Sequence, residues 1–297
     1  MMKVAVLGLG TMGAGMAGQL LDKGFAVTVW NRSVGKAQNL VDRGAKRAAT
    51  PADAASGAEV VVAMVADDQA SHDAWLGPNG ALAAMDRGAI AIESSTVTVD
   101  WIKTLAARAD SLGVDLLDGP VSGSKLQANS GNLRFLVGGA PSIVERARPA
   151  LEAMGSEILS CGPTGSGALL KLINNYMCGV QIASLAESLA LAERCGLDID
   201  TTARVLTEGA PGSPMVKTLA RRMIDRDYAP NFVPALMAKD LRYAAGALAG
   251  QGIVSALANA AGERFLEAVN AGYAEADMAS VVEPLRLGDA HGAKIAE

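Results

Sequence analysis

Aromatic residues make up only 4% of the 297-residue chain, which also has just two histidines and three cysteines. With so few rings, the core must come from Ala, Leu, Val and Met, which the 50% hydrophobic content supplies. The cysteines, Cys161, Cys178 and Cys195, form no CxxC pair. On one helix Cys178 and Cys195 would stand about 25 Å apart, beyond disulfide reach. Reduced thiols in a cytoplasmic protein are therefore expected. His72 and His291 have no ligand-type neighbours at metal-site spacing, so no metal is expected. There is no run of basic residues, and the formal charge of −5 argues against a nucleic-acid surface. The start, Met1-Met2-Lys3, leads straight into the strand-like VAVLGLG, too short for a secretory leader. The most apolar stretch, 172–192, is interrupted by Asn174, Asn175, Gln181 and Glu187. A membrane span needs about 20 predominantly apolar residues, so a helix buried between domains or subunits is the better reading.

What is present is alternation. KVAVLGLG, FAVTVWN, EVVVAMV, AIAIESS and VDLLDGP are strand-like runs separated by amphipathic stretches. NLRFLVGG and SEILSCG add two more, around the helical PSIVERARPALEAMG. This pattern predicts a mostly parallel sheet with helices on both faces. After about Ala168 only helical periods remain, over 168–194, 198–208, 214–225, 234–249 and 254–271. The expected architecture is an α/β Rossmann-type N-terminal domain, 1–162, followed by an all-α C-terminal domain, 163–297.

The first strand ends in GLGTMG, with Gly8, Gly10 and Gly13 at GxGxxG spacing before a helix. In a dinucleotide site these glycines make the tight turn, admit the pyrophosphate and allow close helix packing. Thr11 and Met12 lie between them, at a helix N-terminus whose N–H groups suit phosphate. The second strand ends in Asn31-Arg32-Ser33, with Lys36 one turn on, and lacks the carboxylate that an NAD site sets against the ribose 2′-hydroxyl. Nothing there repels a 2′-phosphate, and Arg32 offers it a fork of donors. NADP is expected in preference to NAD.

One further segment is odd. GSGALLKLINNYMCG, 165–179, is small and apolar, yet carries Lys171 and, one turn later, Asn174 and Asn175. Burying an unpaired ammonium is costly, so such a lysine is expected to have work to do.

Taken in order, GLGTMGAGMA, ESSTVTV, DGPVSGS, the set Gly165, Gly167, Lys171, Asn174 and Asn175, and AKDLRYA resemble the β-hydroxyacid dehydrogenases over nearly the whole chain. That family includes 3-hydroxyisobutyrate dehydrogenase, tartronate semialdehyde reductase and glyoxylate/succinic semialdehyde reductase. The resemblance implies an NAD(P)-dependent oxidoreductase in which Lys171 is the catalytic lysine and Asn175 the amide beside it. It implies a substrate-carboxylate grip at Ser122, Gly123 and Ser124, and cofactor contacts from Met64, Val65 and Thr96. It matches Lys239 and Asp240 to a family pair, Lys239 reaching the cofactor or substrate region, and Phe232 to a cover over the nicotinamide, with core packing equally open for that ring. Gly119, Ser124 and Asn132 depart from the commonest family pattern, which leaves the substrate open. Ser124-Lys125 points towards the glyoxylate/succinic semialdehyde type. An NAD-linked 3-hydroxyisobutyrate or tartronate semialdehyde enzyme, an imine reductase and a non-catalytic NADP-binding module are the alternatives. The small-residue helix after Pro163 is expected to meet a second copy, giving a homodimer or homotetramer.

Overall fold

β-Branched residues in unbroken apolar runs are the mark of strands covered on both faces, and the centre of the sheet is built from such runs. The computed structural model describes residues 1–287, so His291 lies outside the described residues. The strands are β1 (Lys3–Leu7), β2 (Ala26–Trp30), β3 (Lys46–Arg47), β4 (Val60–Ala63), β5 (Ile90–Glu93), β6 (Asp115–Asp118), β7 (Val121–Ser122), β8 (Leu133–Gly138) and β9 (Gly155–Gly162). They form one sheet in the order β3-β2-β1-β4-β5-β6-β8-β7, with β9 also paired to β8. From β3 to β6 all pairings are parallel; β8 runs antiparallel to β6 and β7, and parallel to β9. All four residues of β4 and of β5 are buried, and each fully buried Val or Ile contributes roughly 1.5–3 kcal/mol.

Helices α1 (Thr11–Asp22), α2 (Gln38–Asp42), α3 (Pro51–Ala55), α4 (Asp68–Leu76), α5 (Val99–Leu112), α6 (Lys125–Ser130) and α7 (Pro141–Met154) alternate with the strands. They divide the apolar residues into two clusters, one on each face of the sheet. One holds Met16, Leu20, Phe135 and Leu151, the other Trp75, Trp101, Ile102 and Leu105. Caps start the helices where the sequence placed Ser, Thr or Asp. Thr50 and Asp53 form a capping box at α3, and the Thr98 oxygen accepts the Trp101 N–H at α5. This is a Rossmann-type α/β architecture, as expected.

The chain divides into two compact units, Met1–Leu172 and Ile173 onward. The division falls inside α8 (Ser166–Arg194), whose first turns belong with the sheet. The second unit is helical: the rest of α8, then α9 (Ile199–Glu208), α10 (Pro214–Asp225), α11 (Pro234–Ala249), α12 (Ala256–Ala268) and α13 (Glu283–Leu287). Its core gathers Ile182, Leu189, Met223, Leu241 and Phe265. The helix expected over 254–271 is shorter: after Ala268 the turns widen, and Gly272 goes left-handed at φ 96°. Among the described residues no helix is long and apolar enough to cross a membrane, and no cluster of His, Cys, Asp and Glu could hold a metal ion.

Candidate active site

The glycine turn follows β1. Gly8 sits at φ 96°, a left-handed conformation, and a Cβ there would come within 2.2 Å of the Met64 carbonyl oxygen. A Cβ on Gly13 would come within 2.0 Å of the Gly8 carbonyl oxygen. Gly10, which precedes α1, has nothing within 4 Å of the same point. Two glycines thus let the turn fold tightly against the end of β4, and the third leaves room over the start of α1. The helix start, with Thr11 and Met12 as its first residues, has backbone donors and space for a pyrophosphate, so the cradle fits a dinucleotide.

Asn31, just past β2, fastens this turn. Its Oδ1 accepts the Leu9 N–H at 2.8 Å, and its Nδ2 donates to the Ser33 carbonyl at 2.9 Å. Arg32, Ser33 and Lys36 are exposed beside it, with side chains turned to solvent.

The loops after β4 and β5 are tied by a buried network. Val65 N–H donates to Ser95 Oγ at 2.8 Å, and Ser95 N–H donates to Glu93 Oε1 at 2.8 Å. Glu93 Oε2 accepts from Trp75 Nε1 at 2.8 Å and from the Ser71 hydroxyl, which itself accepts from Trp101 Nε1 at 2.7 Å. Burial pushes the Glu93 carboxyl up, while these bonds pull the other way. Half-buried Thr96 follows Ser95 directly.

The DGPVSGS segment turns between β6 and α6. Ser122 is half-buried, and Gly123 is exposed at φ 135°. Ser124, next along, has its donors turned within the chain. Its N–H and its hydroxyl both donate to Gln127 Oε1, at 2.9 and 2.5 Å, so it serves as the cap of α6. Asp118, four residues before Ser122, is wholly buried. Its Oδ1 accepts the Gly165 N–H at 2.7 Å and its Oδ2 the Ala168 N–H at 2.8 Å, at the start of α8. Burial raises this carboxyl too, against the backbone bonds. Lys171 follows Ala168 by three residues and is half-buried.

In the second unit Asn175 is 5% exposed, donates to Asp240 Oδ2 and accepts from Asn174 Nδ2 at 2.9 Å. Asp240 Oδ1 pairs with Lys239 Nζ at 3.1 Å, and that ammonium lies 5.2 Å from the Tyr243 ring centre. The structure therefore joins Asn175, Asp240 and Lys239 into one cluster. Phe232 packs against the core of this unit, and its N–H donates to Asp277 Oδ2 at 3.1 Å. Reasoning from sequence missed Glu93 and Asp118. Their only signal is an acidic residue closing an apolar strand run, in AIAIE and VDLLD.

Two family profiles match the chain: the NAD binding domain of 6-phosphogluconate dehydrogenase over residues 3–162, and the NAD-binding domain of NADP-dependent 3-hydroxyisobutyrate dehydrogenase over residues 165–285. Glyoxylate/succinic semialdehyde reductase 2 of Arabidopsis thaliana is 34% identical, over 95% of this chain and 79% of its own. The chain belongs to the β-hydroxyacid dehydrogenase family. The 3-sulfolactaldehyde reductase of Escherichia coli is 33% identical to this β-hydroxyacid dehydrogenase over 99% of each chain. The 3-hydroxyisobutyrate dehydrogenase of Mycobacterium tuberculosis, solved with L-serine, superposes at TM-score 0.85 with 32% identity, over 96% of this chain and all of the other. This β-hydroxyacid dehydrogenase is thus an NAD(P)-dependent oxidoreductase acting on hydroxyl or aldehyde groups.

Proposed function

We propose that the protein reduces a small aldehyde acid with NADPH in the cytoplasm, as a reductase of the glyoxylate/succinic semialdehyde type. In this reading residues 1–162 hold the coenzyme, and 163–297 serve the substrate and a second subunit. The observation that carries it is Lys171 one helical turn before Asn175, with the Asn175 amide held by Asp240. Residues at i and i+4 project from one side of a helix, so an amine and an oriented amide are offered together.

The bound nicotinamide supplies or takes the hydride; the chain positions the substrate and handles one proton. In reduction the Lys171 ammonium gives its proton to the developing alkoxide, and in oxidation the neutral amine collects it. Asn175, one amide hydrogen engaged with Asp240, turns its second towards the substrate oxygen or carboxylate. Ser122 Oγ and the Gly123 N–H hold the carboxylate; Ser124, spent on Gln127, is left out of the grip. The Gly8, Gly10 and Gly13 turn, with Thr11 and Met12, takes the pyrophosphate. Arg32, Ser33 and Lys36 take the 2′-phosphate. Met64, Val65 and Thr96 would border the nicotinamide half. On α8, exposed Ile173, Met177 and Leu191 share a side with Ser184 and Ser188; small residues between apolar ones let a second copy approach, and sedimentation at twice the monomer mass or more checks this.

The decisive experiment is a panel of glyoxylate, the semialdehydes of succinate, methylmalonate and tartronate, and a cyclic imine, each assayed with NADPH and NADH, beside 3-hydroxyisobutyrate assayed with NADP+ and NAD+. Turnover of an aldehyde acid is expected, with kcat/KM favouring NADPH by at least ~10-fold, the worth of one charge-assisted hydrogen bond. NADPH binding without turnover of any of these acids overturns the reading in favour of a binding module. Turnover of the imine alone points to an imine reductase.

A further inference from the structure

We propose that Asp118 is a positioning residue for the reaction: its carboxylate ties the first turn of the Lys171 helix to the strand that leads into the Ser122 loop. The inference rests on the proton-transfer role given to Lys171 above.

A helix start leaves about four N–H groups without partners, and an exposed Ser or Thr commonly caps them. Here the chain reaches back to β6 and uses a wholly buried carboxylate, each oxygen taking one N–H of the segment Gly165–Ala168. A buried carboxylate is tolerated only where such donors surround it. The fit is tight on every side. A Cβ on Gly138 would sit 2.5 Å from Asp118 Oδ1, and one on Gly167 would sit 2.1 Å from the Leu136 carbonyl oxygen. The carboxylate cannot slide, and the helix start cannot lift away from the strand ends without breaking both bonds.

Lys171 stands one turn beyond Ala168, and Ser122 four residues beyond Asp118. One side chain therefore fixes the base of both segments that the reaction must align. Proton transfer demands that alignment, since displacing a reacting group by about 1 Å costs on the order of 100-fold in rate.

The test compares Asp118→Asn, Gly138→Ala and Lys171→Ala in the full-length protein. Asp118→Asn sets an amide N–H against a backbone N–H; Gly138→Ala pushes the native carboxylate off its donors from outside. Turnover is referred to NADPH-binding sites counted by fluorescence titration, so loss of folded protein does not count as loss of rate. Expected for both Asp118→Asn and Gly138→Ala are an NADPH Kd within twofold of wild type, a kcat per binding site lower by at least ~10-fold, and a larger solvent deuterium isotope effect on kcat, because the misplaced amine makes proton transfer limiting. A kcat per site within twofold of wild type, or a fall with an unchanged isotope effect, overturns the inference. Lys171→Ala separates the two layers: if it turns over normally, the role of the lysine fails and this inference fails with it. If it is inactive while the other two match wild type, only the inference fails.

Discussion

Glu93 and Asp118 are register partners on the neighbouring parallel strands β5 and β6, each the last residue of its strand and each wholly buried. Register partners point to the same face of a sheet, so two acidic side chains lie on one face where β5 and β6 end. They are kept apart by function. Glu93 takes side-chain donors from Ser71 and Trp75 of α4, with Trp101 of α5 behind Ser71, and the Ser95 N–H, whereas Asp118 takes backbone donors at the start of α8.

Glu93→Gln tests the first of these. Burial raises the Glu93 carboxyl above its ordinary 4.5, so the native state keeps this proton over a range where the unfolded chain has lost it. The stability it contributes is then full below about 4.5 and is lost as pH rises through the native value. Relative to wild type, Glu93→Gln should cost about 2 kcal/mol at pH 4.5, the scale of a disturbed buried acceptor. That cost should shrink towards pH 8 in urea titrations. A cost that grows with pH contradicts the assignment.

Gly10→Ala and Gly13→Ala should part company. A methyl on Gly10 meets open space and leaves the melting temperature where it was, yet occupies the room over α1 and raises the Kd for NADPH. A methyl on Gly13 runs into the Gly8 carbonyl and should lower both stability and binding. Thermal melts beside fluorescence titrations read both.

Arg32→Glu replaces a guanidinium with a carboxylate at the proposed 2′-phosphate position. NADPH should lose at least ~10-fold in kcat/KM, and NADH, with no phosphate to repel, should change little. Equal losses for both coenzymes would remove Arg32 from that role.

Lys171→Ala should lower kcat by at least ~100-fold while NADPH still binds, the scale of general acid–base catalysis. Stopped-flow mixing with coenzyme and an aldehyde acid separates the two quantities. Normal turnover leaves the reaction needing another proton donor.

Arg286→Ala probes the second unit. Its guanidinium, 8% exposed, bridges Glu193 and Glu283 and donates to the Met223 carbonyl at 2.9 Å. Burial works to raise Glu283, but bonds from Tyr228 and Arg286 outweigh it and hold the carboxyl below its usual range. Losing the arginine leaves Glu193 to water and the buried Glu283 to Tyr228 and Arg226, and urea unfolding should show a loss of about 3 kcal/mol.

Much of this was legible in the residues. The runs that became β1, β4 and β5 are apolar but for Lys3 and Glu93 at their ends, because both faces are covered, and GxGxxG gave away the turn after β1. Two-residue β3 and β7 are too short to leave a periodic trace. The reversed direction of β8 depends on its neighbours in the sheet, which no local pattern records. Within the candidate site, the glycine spacing pointed to the open ground at Gly10, and Lys171 stood out as an ammonium in an apolar helix. Glu93 and Asp118 escaped because an acid closing a strand ordinarily meets water; only the folded chain brings indoles, hydroxyls and peptide N–H groups around them. The engagement of Ser124 was hidden for a related reason, since a hydroxyl in a Gly/Ser turn gives no sign that Gln127 will take both of its donors.

Asn31 divides two duties between two atoms. Its oxygen steadies the corner by holding Leu9, and its nitrogen serves only Ser33. Exchanging that nitrogen for a second oxygen would keep the hold on Leu9 but set two acceptors against each other at the Ser33 carbonyl. The amide is thus fitted to that corner at both of its ends, and a carboxylate could be seated there only by moving the chain after β2.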